Sequence, residues 1–157
     1  MTVYHGTDNI SAASIRSGIN RGAFRPRSDF GAGFYLTTVP HQARQWANQR
    51  ARRTRVASAE LLEFEMSRNA IESLRHMAFT TDSTDYYDFI TYCRAGLPLH
   101  GPRRAQTYDI VYGPVSLWPQ TLVLANCDQI MLTDPTALGL GFRYNGTITP
   151  APPGRFF

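Results

Sequence analysis

Residues 29–46 read DFGAGFYLTTVPHQARQW, and this stretch carries the clearest structural signal in the chain. Its two early glycines allow the backbone to approach other groups closely. The short aromatic and β-branched run Phe34–Thr37 predicts a strand. Pro40 suits the first position of a helix, and small and aromatic residues at helical spacing extend that helix to about Arg53. The stretch therefore predicts a strand followed closely by a helix.

Further short elements are predicted on both sides of this stretch. Helices are predicted at Ser11–Ser17 and Asp82–Ala95, each followed by glycine, with one helical turn at Pro135–Leu138. Strands are predicted at Thr2–Tyr4, Leu61–Met66, Tyr108–Tyr112, Leu122–Ala125, Gln129–Thr133 and Phe142–Thr149, with turns at Gly113-Pro114 and Trp118-Pro119. Many short strands with a few helices indicate one α+β domain at 1–149, followed by a proline-rich tail at 150–157.

Composition narrows the class of protein. The chain has 157 residues, a hydrophobic content of 43% and a formal net charge of +4, and all 16 basic residues are arginine. This content supports a folded core, and guanidinium groups match phosphate geometry well, although codon bias is the better explanation of a lysine-free chain. The sequence contains neither a membrane-length apolar run nor a secretory leader, and its two cysteines lack metal-ligand spacing. We therefore expect a cytoplasmic protein that has no metal and does not bind membranes.

Two clusters carry candidate chemistry. His5 precedes Gly6, so an imidazole lies beside backbone groups that can bind an amide. Gly31 and Gly33 lead to Tyr35, and Trp46 follows eleven residues later, so the spacing predicts two aromatic rings that form a slot for a planar ligand. Each residue also has an ordinary structural reading, as a capping histidine, a core aromatic residue or a turn glycine.

The ordered set of motifs resembles a known family. His5-Gly6-Thr7, Ser14–Ile19 and the stretch from Asp29 to Thr37 resemble the ADP-ribosyltransferases of the histidine-tyrosine-glutamate class, which include poly-ADP-ribose polymerases and diphtheria toxin. The chain is most similar to small bacterial members with a DFGxGFYLT signature. Residues 108–114 and 129–138 also match later signatures of that group.

The resemblance implies both a fold and a set of site residues. The fold would be a split β-sandwich of two packed, mostly antiparallel sheets with a few flanking helices. The implied catalytic residues are His5, Tyr35 and Gln129. The implied residues for NAD, as co-substrate, are His5 on a ribose hydroxyl, Gly6 on the nicotinamide carboxamide, Thr7, Tyr35 stacked on nicotinamide, Trp46 as a second ring wall, and Arg25 and Arg27 near the pyrophosphate. Arg21 is a further cation of that loop, and Arg103 and Arg104 form a second basic patch.

Gln129 departs from the family pattern, in which the third motif residue is glutamate. Cleavage of the nicotinamide–ribose bond develops positive charge on the ribose, and a carboxylate would stabilise that charge. Glutamine keeps a hydrogen-bond acceptor without net charge, so we expect mono-transfer rather than polymer elongation, and we expect a glutamate variant to keep or raise NAD hydrolysis. Strand alternation would point Asp128 to the opposite face, and Asp134 would reach the site only if the strand bends.

The sequence thus predicts an NAD-dependent mono-ADP-ribosyltransferase, as a bacterial toxin or effector acting in the cytoplasm of the producing cell or of a target cell. The acceptor would be nucleic acid or protein, and an antitoxin or immunity protein would be a further partner. Several alternatives stay open: a non-catalytic NAD or ADP-ribose binding module, an NAD glycohydrolase, a transferase acting on a small molecule such as an antibiotic, an RNA 2′-phosphotransferase relative, and a plain interaction domain.

Overall fold

The computed structural model describes residues 1–55, 58–96 and 108–135, and describes residues 142–150 by their backbone alone. The helices in these ranges are α1 (Asn9–Ser17), α2 (Pro40–Thr54), α3 (Arg68–Glu72) and α4 (Thr84–Arg94), with a short 3-10 helix at Arg21–Ala23. The strands are β1 (Thr2–Asp8), β2 (Phe34–Leu36), β3 (Ala59–Met66), β4 (His76–Ala78), β5 (Ile110–Ser116), β6 (Val123–Leu132) and β7 (Phe142–Pro150). The protein is therefore α+β, as the sequence predicts.

The strands form two sheets. One sheet has the order β1-β3-β7, and the other has the order β2-β6-β5-β4. All pairs in these sheets are antiparallel except β4 and β5, which run parallel. A single bridge between Tyr4 and Thr37 joins the two sheets. Two mostly antiparallel sheets with a few helices agree with the coarse architecture expected from the sequence.

The main core lies between the two sheets. Val3, Leu62 and Phe64 come from the first sheet, and Phe34 and Leu132 come from the second. Strand alternation turns these side chains inward, and each is buried. Burying large apolar side chains contributes about 1.5–3 kcal/mol each. The shared core therefore holds the two sheets together, in addition to the backbone bridge between Tyr4 and Thr37.

Helix α4 follows the predicted pattern closely. The stripe Tyr86, Phe89, Ile90 and Cys93 is buried, and Ser83 caps the helix by accepting a hydrogen bond from the amide of Tyr86. This stripe packs with Phe30 in a second apolar cluster. The second cluster covers the other face of the four-stranded sheet and supports the loop that contains the DFG residues.

Strand β1 is longer than predicted. The sequence predicts a strand at Thr2–Tyr4, whereas β1 continues to Asp8 and includes the His5-Gly6-Thr7 motif. Pairing with β3 extends through Gly6 opposite Leu61 and Asp8 opposite Ala59. Tertiary pairing therefore overrides the low strand preference of glycine.

The β5–β6 region differs more strongly from prediction. The expected turn at Gly113-Pro114 lies inside β5, and the two strands expected around Leu122–Ala125 and Gln129–Thr133 form the continuous strand β6. A register shift after Pro114 and a positive φ of 57° at Asn126 mark an irregularity that lets the ladder continue. Gln129 consequently lies within a long strand and not at the start of a short one.

Other elements were not predicted or lie elsewhere. The sequence interpretation missed α3 and β4, which are too short to show a clear period. Strand β7 agrees with the predicted Phe142–Thr149 but includes Pro150, which the prediction assigned to the tail. The helical turn predicted at Pro135–Leu138 extends beyond the described residues, and residues 151–157 of the predicted tail lie outside them.

Candidate functional site

Strands β1 and β2 meet at one point and then diverge. The amide of Tyr4 donates to the carbonyl of Thr37 over 2.8 Å, and the amide of Thr37 donates back over 2.9 Å. Backbone groups alternate sides along a strand, so Gly6 turns its N–H and C=O to the same side as Tyr4. Pairing among the described residues places no strand on that side of Gly6. A backbone donor and acceptor at Gly6 therefore face the gap between the sheets.

His5 lies beside this gap in a defined tautomeric state. Its Nδ1 atom lies 2.7 Å from the carbonyl oxygen of Tyr35, and because a carbonyl can only accept, Nδ1 carries the proton. The imidazole stacks on the ring of Phe34 with a centroid distance of 4.5 Å. Burial is the main cause that lowers the pKa of His5 below its ordinary value of 6.5. The ring is therefore neutral at pH 7, and its Nε2 atom is an acceptor.

Glycine at position 6 also serves close packing. A Cβ atom there would lie 1.7 Å from the carbonyl oxygen of Ala43 in α2. A Cβ atom at Gly33 would lie 2.3 Å from the sulfur of Met131. Both glycines are thus required by the approach of neighbouring elements, and the backbone of Gly6 remains available to a ligand in addition.

Two cavities open beside these residues. The larger has a volume of about 830 Å³, within the range of about 300–1,000 Å³ that is usual for small-molecule sites, and the smaller has a volume of about 280 Å³. The residues that line both cavities are Gly6, Arg25, Ser28, Tyr35 and Arg50. Because the two cavities share these residues, they adjoin and form one candidate site.

Tyr35 has a structural role as well as a place in both cavities. Its hydroxyl accepts a hydrogen bond from the amide of Phe30 at 2.9 Å and donates one to the carbonyl of Gly31 at 2.8 Å. Burial raises the pKa of the Tyr35 phenol far above its usual range, so the hydroxyl stays protonated. The hydroxyl closes the loop before β2, and the half-buried ring is the part that a ligand can contact.

The remaining predicted cofactor residues divide between the cavities. Trp46 and Arg27 line the larger cavity, and Thr7 lines the smaller one, where it is almost fully buried. Tyr35 and Trp46 both line the larger cavity. A planar group held between these two rings stays a prediction of the sequence.

Gln129 lies in a buried polar cluster on the wall of the larger cavity. Its Nε2 atom donates to Oδ2 of Asp29 at 2.8 Å and to the carbonyl of Pro114 at 3.0 Å. Asp29 also accepts from the guanidinium of Arg94 and from the hydroxyl of Ser116. Gln129 is 2% exposed and Asp29 is 6% exposed. The cluster thus holds a carboxylate directly beside the amide of Gln129.

Asp128 points away from this cluster, in agreement with strand alternation. Its carboxylate accepts hydrogen bonds from the hydroxyl and amide of Thr38 and from the hydroxyl of Thr37. Its backbone N–H donates to the side-chain oxygen of Gln42, and its carbonyl accepts from the side-chain amide of Gln42. Asp128 therefore stabilises the start of α2, which has no side-chain cap of its own.

Arginines give the larger cavity a positive charge. The arginines that line it are Arg25, Arg27, Arg50, Arg53 and Arg94, and among the described lining residues Asp29 alone carries a carboxylate. Arg50 forms an ion pair with Asp8, and Arg94 with Asp29, whereas no ion pair within the described part of the chain involves the other three. The cavity thus offers guanidinium groups suited to phosphate oxygens.

Some predicted cations lie elsewhere. Arg21 lines neither cavity and forms an ion pair with Asp134 at 2.7 Å. The linings of the two cavities thus give no support to the expectation that Arg21 faces a pyrophosphate, and Asp134 does not line either cavity. Arg103 and Arg104 lie outside the described residues.

The sequence interpretation missed four residues of the site, namely Asp29, Arg50, Arg94 and Ser116. Asp29 belongs to the DFG motif, but the sequence interpretation assigns it no role. Its only local signal is its place as an acidic residue before an apolar loop. Its partners Arg94, Ser116 and Gln129 lie 65, 87 and 100 residues away along the chain. Such contacts follow from tertiary packing and leave no spacing pattern in the sequence.

Two further observations concern metal binding and membrane-spanning helices. Among the residues that the structure describes, no group of histidine, cysteine and acidic side chains is arranged to hold a metal ion. No described helix combines the length and the apolar character that crossing a membrane requires.

Comparison with known proteins gives a family match. The model of a family described as "Protein of unknown function (DUF3990)" matches residues 1–117. The matched region includes His5, Gly6, Tyr35 and Trp46 and ends before Gln129. A search of curated proteins finds none that matches the chain.

Proposed function

The chain belongs to the DUF3990 family of proteins of unknown function, and we propose that it is an NAD-dependent mono-ADP-ribosyltransferase. The observation that carries this proposal is the gathering of His5, Gly6, Tyr35 and Gln129 around two adjoining cavities. These four residues come from three strands. The sequence resemblance assigns His5, Gly6 and Tyr35 to NAD binding and Gln129 to catalysis. An α+β domain with two sheets is compatible with the fold of that class.

The polar atoms at the site suit the parts of NAD that need recognition. The backbone N–H and C=O of Gly6 complement the two ends of a carboxamide. The neutral Nε2 atom of His5 can accept a hydrogen bond from a ribose hydroxyl. The ring of Tyr35 can stack on nicotinamide, with Trp46 on the other side of the larger cavity. The cavity arginines complement the charge of a pyrophosphate.

The reaction breaks the bond between nicotinamide and ribose, and the bonding electron pair leaves with nicotinamide. A nucleophilic atom of the acceptor then bonds to the ribose carbon and gives up its proton. Gln129 supplies an amide oxygen that can accept from the ribose 2′-hydroxyl as positive charge develops. Because the amide is neutral, its contribution is mainly geometric, which favours a single transfer over polymer elongation.

We propose a macromolecular acceptor, either nucleic acid or protein, because an open, basic cavity wall suits an acidic partner. The toxin or effector role, action in the cytoplasm and a neutralising antitoxin or immunity protein belong to the same proposal. They rest on the sequence resemblance to small bacterial members of the class.

Labelled NAD tests the proposal directly. The protein is incubated with NAD labelled in the adenosine part, together with a mixture of protein, DNA and RNA. We expect label on a macromolecule and release of nicotinamide, with loss of both in His5→Ala and Tyr35→Ala variants that keep the wild-type circular dichroism spectrum. Transfer that persists in either folded variant would contradict the catalytic assignment.

A non-catalytic NAD or ADP-ribose binding module is the second candidate. The observation that favours it is the uncharged Gln129, whose amide nitrogen is already bonded to Asp29 and Pro114. Isothermal titration calorimetry separates the two functions. Binding of NAD without nicotinamide release at any acceptor concentration would favour the binding module.

A further inference from the structure

The amide of Gln129 has a forced orientation. Its nitrogen faces Oδ2 of Asp29 and the carbonyl oxygen of Pro114, and both of these groups can only accept. An amide turned by 180° would place its oxygen against two acceptors. The hydroxyl of Tyr86 also lies against the Gln129 side chain, and because its own proton is donated to the carbonyl of Pro114 over 2.8 Å, it too can only accept there. Nε2 therefore faces the cluster, and Oε1 is the end of the amide that is left to accept from a ligand in the larger cavity.

Asp29 is itself held firmly. Arg94 donates to Oδ1 from Nε at 2.8 Å and from Nη2 at 2.5 Å, and the hydroxyl of Ser116 donates to Oδ2 at 2.8 Å. The guanidinium of Arg94 also lies 5.5 Å from the ring of Trp118. A buried carboxylate is costly unless it is paired, and these contacts satisfy that requirement. The result is a rigid acceptor at a fixed place beside Gln129.

We infer that Asp29 is a positioning residue, which fixes the amide of Gln129 so that Oε1 is presented to the ribose hydroxyl of the substrate. This inference rests on the proposed function. It assigns a role to the first residue of the DFG motif, and it explains how a neutral glutamine can serve at a position where the resembled class has glutamate. A carboxylate, that of Asp29, is thus present in the cluster. It contacts the amide of Gln129, and Gln129 in turn contacts the substrate.

The inference reverses the earlier expectation for Gln129→Glu. A glutamate there would place a second carboxylate against Asp29, and like charges at hydrogen-bond distance cannot both ionise easily. The groups around the pair are Arg94 from α4, Tyr86 from the same helix, and Tyr35 from β2. Burial raises the pKa of both phenols, so they stay neutral, and two carboxyls at hydrogen-bond distance hold one proton between them more firmly than an isolated carboxyl does.

The pH dependence of Gln129→Glu follows from this arrangement. At low pH one proton is shared by the carboxyl pair, and an O–H donates where Nε2 did. At high pH both carboxylates are ionised and repel each other. We therefore expect the ratio of variant to wild-type turnover to rise as pH is lowered from 8 toward 5. A ratio that does not change with pH would overturn the inference.

The main experiment compares two isosteric changes of buried carboxylates, Asp29→Asn and Asp128→Asn. Both remove one charge next to β6, but only Asp29 contacts the amide of Gln129. We expect Asp29→Asn to lower kcat for NAD turnover by about 10- to 100-fold with a smaller change in KM, because misplacement of a reacting group acts on the transition state. We expect Asp128→Asn to lower the melting temperature and to leave kcat close to wild type.

The double variant Asp29→Asn/Gln129→Glu gives a second measure. In this variant the asparagine at position 29 can donate a hydrogen bond to the glutamate at position 129. The donor and the acceptor of the wild-type hydrogen bond are thus exchanged. We expect its kcat to exceed that of Asp29→Asn, a departure from additivity that indicates direct coupling. If both Asp29→Asn and Asp128→Asn lose kcat in the same proportion to their loss in melting temperature, the inference is overturned.

A readout without NAD completes the test. Nuclear magnetic resonance of the ¹⁵N-labelled protein should show slow hydrogen exchange for the side-chain amide of Gln129, assigned by its disappearance in Gln129→Glu. We expect faster exchange in Asp29→Asn, and unchanged exchange would overturn the inference. If Asp29→Asn does not fold, the pH profile of Gln129→Glu decides. Failure of the proposed function is seen separately, as a folded wild-type protein that turns over no NAD, and that result would overturn the inference as well.

Discussion

The Nδ1 atom of His5 lies 2.7 Å from the carbonyl oxygen of Tyr35 and joins the two motifs of the site across the gap between the sheets. The two residues are 30 positions apart and lie on strands of different sheets. Because this bond places the proton on Nδ1, it makes Nε2 the acceptor. One hydrogen bond thus sets both the relative position of the motifs and the chemical state of the imidazole.

The first prediction concerns pH and activity. Protonation of His5 would convert Nε2 from an acceptor to a donor, so turnover should fall at low pH. Burial lowers the pKa of His5, so we expect the acidic limb of the kcat/KM profile below pH 6.5. The profile is measured between pH 4.5 and 8 with saturating acceptor. An acidic limb above pH 6.5 would show that His5 is not the titrating group.

The same pKa shift affects stability. The unfolded chain protonates His5 near pH 6.5, whereas the folded chain does so only at lower pH. Below pH 6.5 the unfolded state therefore binds more protons, and the free energy of unfolding should decrease with falling pH until the folded-state pKa is reached. Urea unfolding at several pH values measures this slope, and a His5→Asn variant should lack it. Asp8 and Asp109, whose hydrogen-bonded carboxyls have lowered pKa values, should add a further loss below about pH 3.8.

The second prediction separates the two parts of Tyr35. Tyr35→Phe keeps the ring but removes the hydroxyl that bonds Phe30 and Gly31. We expect this variant to lose about 1–3 kcal/mol of stability, because the amide and carbonyl lose a partner, and to keep measurable turnover. Tyr35→Ala should lose NAD binding as well. Urea unfolding and NAD titration distinguish the two effects, and equal NAD affinity in both variants would argue against stacking.

The third prediction concerns Gly6. Gly6→Ala would force a methyl group to within 1.7 Å of the carbonyl oxygen of Ala43, so α2 must shift away from β1. We expect a loss of about 1–3 kcal/mol in the free energy of unfolding, together with loss of NAD binding. Gly22→Ala is the matched control, since its nearest neighbour is the flexible side chain of Asn20 at 3.1 Å. A Gly6→Ala protein as stable as Gly22→Ala would contradict the packing argument.

The fourth prediction concerns the cavity arginines. Arg25→Ala/Arg27→Ala removes two cations that line the larger cavity. We expect NAD affinity to fall by roughly tenfold or more, with a weaker dependence on salt concentration, because charge-assisted bonds to phosphate are lost. Arg55→Ala/Arg68→Ala removes two exposed arginines that line neither cavity, and it is the control for the same change in overall charge. Equal effects of the two changes would indicate that the arginines act only through net charge.

The fold was predicted best where a local pattern decides it. The stripe Tyr86, Phe89, Ile90 and Cys93 has helical spacing, and the whole stripe is buried on α4. Pro40 begins α2 as expected. The β5–β6 pair was predicted worst, because Gly113 and Pro114 have the local signature of a turn. Gly113 nevertheless pairs within β5, where a Cβ atom would lie only 3.0 Å from the ring of Phe30 and 3.3 Å from the Cβ of Phe79, so this glycine fits a closely packed aromatic cluster.

The candidate site shows the same difference between features set by local sequence and features set by distant contacts. The candidates His5, Gly6, Tyr35 and Gln129 were named from sequence, and the structure brings them to one place. Arg21 forms an ion pair with Asp134, 113 residues away along the chain, and no local pattern reveals that pair. Asp29 was overlooked for the same reason, because its role depends on Arg94, Ser116 and Gln129.

The sequence by itself determined which residue types this protein can use: a histidine beside a glycine, an aromatic strand, a helix with tryptophan, and arginine as its one basic side chain apart from histidine. Side-chain chemistry and short-range periodicity are properties of neighbouring residues, so they can be read along the chain. Only the tertiary structure decided that β1 and β2 separate after Tyr4, that Nε2 of His5 is the acceptor, and that Asp29 holds the amide of Gln129. These features depend on hydrogen bonds between distant segments, whose partners are chosen by the packing of the two sheets.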